Sequence, residues 1–467
     1  MRQLLTSLML LAALLTACTG MPTPQPGATA GATSVSTRPV EPTQLPAPTH
    51  TPALTSADPS TDTPSPTEAQ ATPQALGSPT AELTTQTPVE TTLPTQELSP
   101  TPAEEPTQPP EATPAPTPLP SPPPAGSAQA SFAYGIQVDP SGDPDEIIGH
   151  LKTLGIEWVK FQVSWKEMEP QENIRNWGEW DRLILAYHNA GYKILLSIVK
   201  APDWARPANT DLSQDGPPAD PQTYARFVGE LAKRYKGGVQ AIEVWNEQNL
   251  AREGGGAPMP PADYVALLSA AYQAIKTADP SIVVVSGGPT PAGDVPGAAI
   301  DDITYLNAMY AAGLKGASDA IGAHPSGYNC PAAADWRTVT DPSAVFRGPF
   351  DNRHHSWCFR GTMEGYRDVM VANGDGDKRL WPTEFGWAVS AAPHTGYEYA
   401  ADTTREEQAG WIVEAFGQAK AWGWVGPTFL WNLNYDITRP GSEQAAFGIL
   451  TSQGPTPAYR ALANVPK

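Results

Sequence analysis

Eight short apolar runs lie between residues 132 and 435, and each is followed by a longer segment of helical period. This alternation restricts the chain more than any other feature. The runs are FAYGIQVD (132–139), WVKFQVSW (158–165), KILLSIVK (193–200), VQAIEVWNE (239–247), SIVVVSGG (281–288), DAIGAHPS (319–326), RLWPTEFGW (379–387) and TFLWNLNY (428–435). The segments between them include DPDEIIGHLKTLG, WDRLILAYHNAG, TYARFVGELAKRYKG, ADYVALLSAAYQAIKTADP and REEQAGWIVEAFGQAKAWG, with PAYRALANV last. Several close on Gly or Asp-Pro, which stop helices, and others open at Asp or Thr, which cap them. Strict alternation predicts an α/β fold with a parallel sheet, and eight units predict closure into a single (β/α)8 TIM barrel. A doubly wound open sheet would need a glycine fingerprint after its first strand, and Asp139-Pro140-Ser141-Gly142 does not supply one.

The barrel pattern starts only after an abrupt change of composition. All 14 tryptophans, and every tyrosine and phenylalanine, lie beyond residue 130. Residues 19–130 are mostly Pro, Thr, Ala, Ser, Gln and Glu with no Phe, Trp, Tyr, Ile or Lys, so they bury too little apolar surface to offset the entropy of ordering. They are expected to form a disordered, semi-stiff linker with the composition of a stalk. Ahead of it, MRQLLTSLMLLAALLTAC (1–18) has a basic start and an apolar run too short to span a bilayer, the pattern of an export signal. Its last residues, Leu15-Thr16-Ala17-Cys18, resemble a bacterial lipobox, which implies lipid on Cys18 and a surface lipoprotein held to the membrane only by that anchor. In such an oxidising setting the remaining cysteines, Cys330 and Cys358, are expected to pair. The catalytic domain is then 131–467. A net charge of −20 argues against a nucleic-acid partner.

Barrels of this kind carry chemistry at the C-terminal ends of their strands. Glu247 and Glu384 close the fourth and seventh runs, nearly opposite each other around an eight-strand ring. Two carboxylates about 5 to 5.5 Å apart suit retaining glycoside hydrolysis, where one attacks the anomeric carbon and the other moves protons. That division of labour needs environments that push their pKa values apart.

Trp245-Asn246-Glu247, together with Thr383-Glu384-Phe385-Gly386-Trp387, resembles clan A of the glycoside hydrolases, families 5 and 39 in style. FQVSWKEMEP (161–170), Trp180-Asp181 and Ala201-Pro202-Asp203-Trp204 match the layout of the same families, so the resemblance spans nearly the whole globular part. It implies an O-glycosyl hydrolase acting on a carbohydrate, with Glu247 as acid/base, Asn246 on the sugar 2-hydroxyl and Glu384 as nucleophile. Trp431 would floor the subsite of the reacting sugar, often ahead of a cis peptide. His324 and Tyr328 would stand near the nucleophile. Trp165, Trp204 and Trp387 are further candidates for sugar stacking.

One position departs from the pattern. Where many clan members have an arginine on the second strand, this chain has Lys160, which supplies charge without the bidentate fork. Lys160 shares a strand parity with Gln162 and Ser164 and so is expected to point inward. No cofactor or metal is implied: the first strand lacks a His-x-His pair, His354-His355 lies in a loop, and Asp375-Gly376-Asp377 reads as a turn. The segments 203–222 and 327–360 are expected to set specificity, and a monomer is expected. The rival reading is a surface lipoprotein that binds carbohydrate in the same cleft without turning it over.

Overall fold

The computed structural model describes residues 130–467. The segments expected to be an export signal with Cys18 and a linker lie, but for residue 130, outside the described residues. Eight strands form the parallel system: β1 (Ala133–Gln137), β2 (Trp158–Ser164), β3 (Lys193–Val199), β4 (Ala241–Val244), β5 (Val283–Ser286), β6 (Ile321–Ala323), β7 (Leu380–Pro382) and β8 (Pro427–Leu430). Six of them pair in the order β5-β4-β3-β2-β1-β8, a curled sheet in which the first strand already meets the last. β6 and β7 pair separately, and parallel bridges Val285↔Ala320, Leu380↔Val425 and Phe385↔Leu430 join that pair to β5 and β8. The strands therefore follow one another around a ring in chain order, as in a (β/α)8 barrel.

The helices outside the ring are α1 (Pro144–Leu154), α2 (Gly178–Asn189), α3 (Pro221–Arg234), α4 (Pro261–Ala278), α5 (Asp302–Ala311), α6 (Phe359–Ala372), α7 (Arg405–Trp422) and α8 (Pro457–Ala463). Their ends follow local chemistry. Asp143 caps α1 through Asp145 N with Pro144 in the first turn, and Gly155 ends it at φ 62°. Thr404 and Glu407 form a reciprocal capping box at α7. Among the described residues no helix is long and apolar enough to cross a membrane.

Strand alternation splits the core in two. Ile136, Val159, Phe161, Ile194, Leu196, Ile242 and Val284 face outward and pack with the helices. The opposite parity, with Trp158, Leu195, Ala241, Val283, Trp381 and Phe429, fills the floor of the ring. A Cβ on Gly135 would stand 2.6 Å from the Phe429 ring, so the β1–β8 seam closes over a residue without a side chain. Cys330 and Cys358 are joined in a disulfide that clips the segment between β6 and α6. Closing a loop of 28 residues is worth about 3.5 kcal/mol in the chain-entropy model.

The strands are shorter than the apolar runs. The run 239–247 is β-structure only over Ala241–Val244, because Trp245 (φ 70°) and Glu247 (φ 41°) adopt left-handed backbone that ends the ladder. Such conformations are costly for non-glycine residues and cluster where side chains must be re-aimed.

Candidate active site

Above the apolar floor, the inward parity turns polar. Gln137 stands beside Lys160 across the β1–β2 ladder, and Ser197 beside Glu243 across β3–β4. Lys160 is wholly buried, with Nζ 3.2 Å from Glu243 Oε2 and 2.8 Å from Glu384 Oε1. Burial alone would lower the lysine's pKa, but Glu243 and Glu384 outweigh it and the net shift is upward. Burial likewise pushes the Glu243 carboxyl up, and Lys160, His324 and Thr383 together bring it down to about 2. Thr383 Oγ1 donates to Glu243 Oε1 at 2.6 Å.

His324, 2% exposed, stands among three carboxylates. Its Nδ1 is 3.1 Å from Glu247 Oε1 and 3.8 Å from Glu384 Oε2, while Nε2 is 3.8 Å from Glu243 Oε1. Burial opposes the imidazolium, yet Glu384, Glu243 and Glu247 raise His324 to about 9. Its ring lies where a Cβ on residue 288 would come within 2.5 Å of Cδ2, which is why Gly288 stands there. Glu247 is held by the chain segments that follow β5 and β4: its N–H donates to Gly288 O, and its carbonyl accepts from Leu250 N.

Glu384 is fixed from the other side. With the Gln137 amide nitrogen 3.1 Å from Glu384 Oε1, the amide oxygen accepts from Tyr435 Oη at 2.7 Å and Trp431 Nε1 at 3.2 Å. The Trp431–Asn432 peptide is cis, and the Trp431 ring packs on Phe447 and lines the cleft. Asn246 is 5% exposed, lines the cleft and leaves Oδ1 without a hydrogen-bond partner. The cleft has a volume of about 380 Å³, and Glu247, Glu384, His324, Tyr328 and Trp431 all border it. Ser213 to Asp215 and the Ser356–Trp357 step border it too, so both long segments marked in the sequence reach its rim.

Two tryptophan expectations, Trp165 and Trp387, are corrected. Trp165 is fully buried, stacks on Phe227 and donates to Glu169 Oε2. Trp387 is fully buried and donates to the Cys330 carbonyl. Trp204 packs edge-on against Trp165 and donates to the Glu169 carbonyl. Trp165 and Trp387 lie within the core, where their indole N–H groups find carboxylate or backbone partners, whereas Trp204 is half-buried beside Trp165. Tyr328 lines the cleft but packs between Trp357 and Tyr399 and donates to the Pro291 carbonyl at 3.3 Å.

Sequence reasoning passed over Arg252, Glu243 and Gln137. Arg252, in the single helical turn Ala251–Gly254, donates to Glu247 Oε2. Burial would raise the Glu247 carboxyl, but Arg252 and then His324 outweigh it, and Glu247 is held far below the usual carboxylate range. Arg252 and His324 thus favour the ionised form of Glu247, the reverse of what a resting proton donor needs. Glu243 did leave a signal, a carboxylate inside the buried run AIEV; Arg252 left none.

His324 couples stability to pH. Its raised pKa contributes stability that is complete below about 6.5 and is lost as pH climbs through about 9. Glu243, lowered from 4.5, contributes above 4.5 and loses it as pH falls through about 2. The His324 contribution comes first from Glu384 and then from Glu243 and Glu247, and is worth roughly 3 kcal/mol, whereas the Glu243 contribution comes first from Lys160. Wild-type protein should therefore lose more Tm between pH 6.5 and pH 9 than His324→Ala does, and equal losses in thermal melts would exclude this coupling.

No family model matches the chain, and no curated protein matches its sequence. Solved structures that resemble it are glycoside hydrolases. A family 39 glycoside hydrolase from the gut symbiont Bacteroides cellulosilyticus WH2 shares 19% identity over 72% of this chain, with a TM-score of 0.55. The chain spans 63% of that protein's length. A glucosidase from Croceicoccus marinus shares 16% identity over 73% of this chain and 68% of its own, with a TM-score of 0.49. A β-galactosidase from the psychrophilic Marinomonas ef1 shares 14% over 71% and 58%, with a TM-score of 0.48. At these identities the first of them establishes the likeness of the fold, a barrel of the kind glycoside hydrolases use.

Proposed function

We propose that residues 131–467 hydrolyse O-glycosidic bonds of oligo- or polysaccharides with retention of anomeric configuration. The observation that carries this reading is the convergence of Glu247, His324 and Glu384, one ligand atom of each lying within 4.8 Å of the others at the mouth of the ring. Oxygens of the two carboxylates this near to each other can flank a single anomeric carbon, the arrangement that retaining hydrolysis uses.

In this reading Glu384 attacks the anomeric carbon as Glu247 protonates the departing oxygen, giving a covalent glycosyl-enzyme. Glu247 then takes a proton from water, which attacks the same carbon and releases Glu384. Lys160 and Gln137 fix the Glu384 carboxylate by donating to Oε1. The unpartnered Asn246 Oδ1 accepts from a sugar hydroxyl. Trp431 supplies an aromatic face. The barrel works outside the cell, tethered by the 19–130 linker to a lipid on Cys18. NMR of a polysaccharide or aryl glycoside digest should show the retained anomer first, and an inverted first product would overturn the mechanism.

Arg252 favours a second reading, a cleft that binds carbohydrate without turnover, because it keeps Glu247 ionised. The two readings diverge at Arg252→Ala. For a hydrolase, removing the cation raises the Glu247 carboxyl and moves the alkaline limb of kcat/KM upward by about one pH unit or more. Sugar binding with no turnover by either protein, on a broad substrate panel, would select the binding module.

A further inference from the structure

Away from the cleft chemistry, the start of α5 and the segment just ahead of α6 meet at four side chains that hydrolysis does not use. Asp301 Oδ2 is 3.2 Å from His354 Nε2 and 4.0 Å from His355 Nε2, and His355 Nε2 is 2.9 Å from Asp302 Oδ1. One ligand atom each from Asp301, His354 and His355 lies within 4.8 Å of the others. We propose that Asp301, His354 and His355 form a binding site for a divalent transition metal, Zn²⁺ foremost, with Asp302 standing behind His355.

The donor set is two imidazoles and one carboxylate, which suits zinc and its neighbours better than calcium or magnesium. Around a tetrahedral zinc with bonds of about 2.0–2.1 Å, neighbouring ligand atoms stand roughly 3.3 Å apart. The Asp301–His354 separation of 3.2 Å is close to that value. The ligands are also oriented from behind, as metal ligands are. Asp301 Oδ1 accepts from Thr304 N at 2.7 Å, which turns Oδ2 toward the histidines. His354 Nδ1 is 2.5 Å from Ser356 Oγ, which leaves Nε2 facing the carboxylates.

Asp302 is wholly buried behind His355, with the Tyr366 hydroxyl beside it. Two successive carboxylates gather negative charge in a partly desolvated corner, and a dication bound to Asp301 and the histidines offsets it. The metal would pin two loops that border the cleft. Ala292 N reaches Asp302 Oδ1 at 3.4 Å, and Ser356 and Trp357 follow directly after His355.

The test uses the full chain, stripped with chelator, then loaded with Zn²⁺ and measured by calorimetry and by metal analysis after gel filtration. One equivalent should bind and raise Tm, with affinity falling at least ~100-fold in His354→Ala and in His355→Gln. Co²⁺ in the wild type should give the visible absorption of a tetrahedral site, and this should persist in Glu247→Gln. No stoichiometric zinc, unchanged affinity in both histidine variants, or loss of the Co²⁺ spectrum in Glu247→Gln would each overturn the site. The last outcome would put the metal in the cleft.

Discussion

Glu384→Ala removes turnover by on the order of 10⁵-fold while leaving the barrel folded, if Glu384 is the carboxylate that bonds to sugar. The side chain is partly exposed at the cleft and its partners are cations and amides, so truncation does not strand a buried acid. Added azide separates the two glutamates. In Glu384→Ala, azide attacks in place of the missing carboxylate and gives a glycosyl azide of inverted configuration. In Glu247→Ala, an activated aryl glycoside still forms the covalent intermediate, azide resolves it, and the product retains configuration. NMR of the two azides reads the result directly. If either alanine variant kept near-normal kcat, its proposed role would be wrong.

Lys160→Met carries the largest expected cost in stability, about 3–5 kcal/mol, because it leaves Glu243 charged, wholly buried and without its ammonium partner, with His324 at 3.8 Å as its remaining cation. A loss of that size lowers Tm by roughly 5 °C or more in a domain this long. Adding Glu243→Gln should restore much of it, and a double-mutant cycle measures the coupling. Additive losses from the two single changes would show that Lys160 and Glu243 do not depend on each other. Activity should not return in the double variant, because Glu384 Oε1 still lacks its ammonium donor.

Periodicity made the order of strands and helices readable, since alternation of apolar residues and capped helix ends are local properties. The inward direction of Lys160 was readable for the same reason, by parity along β2. The aim of Glu247 was not. It depends on two left-handed residues, Trp245 and Glu247, whose conformation is held by hydrogen bonds to β3 and to Gly288 from far along the chain. The tryptophans misled in an instructive way. A tryptophan beside a strand end looks the same in sequence whether it faces sugar or core, and only the destination of its indole N–H tells them apart. Trp431 donates toward Gln137 at the cleft, whereas Trp165 and Trp387 donate inside the core. Arg252 was unreadable because nothing in a one-turn helix signals which carboxylate its guanidinium will meet.

The charged layer inside the ring has a consequence for how such a protein can diversify. Lys160, Glu243 and Thr383 are on or beside barrel strands and beneath the cleft, whereas Ser213–Asp215 and Ser356–Trp357 reach it from long connecting segments. The reactive groups are thus anchored in a foundation that every strand helps to hold, and the walls are separate parts. Exchanging a wall alters which chain of sugars can lie in the groove without disturbing the foundation. Altering the foundation, even by one conservative residue, acts on folding and chemistry together.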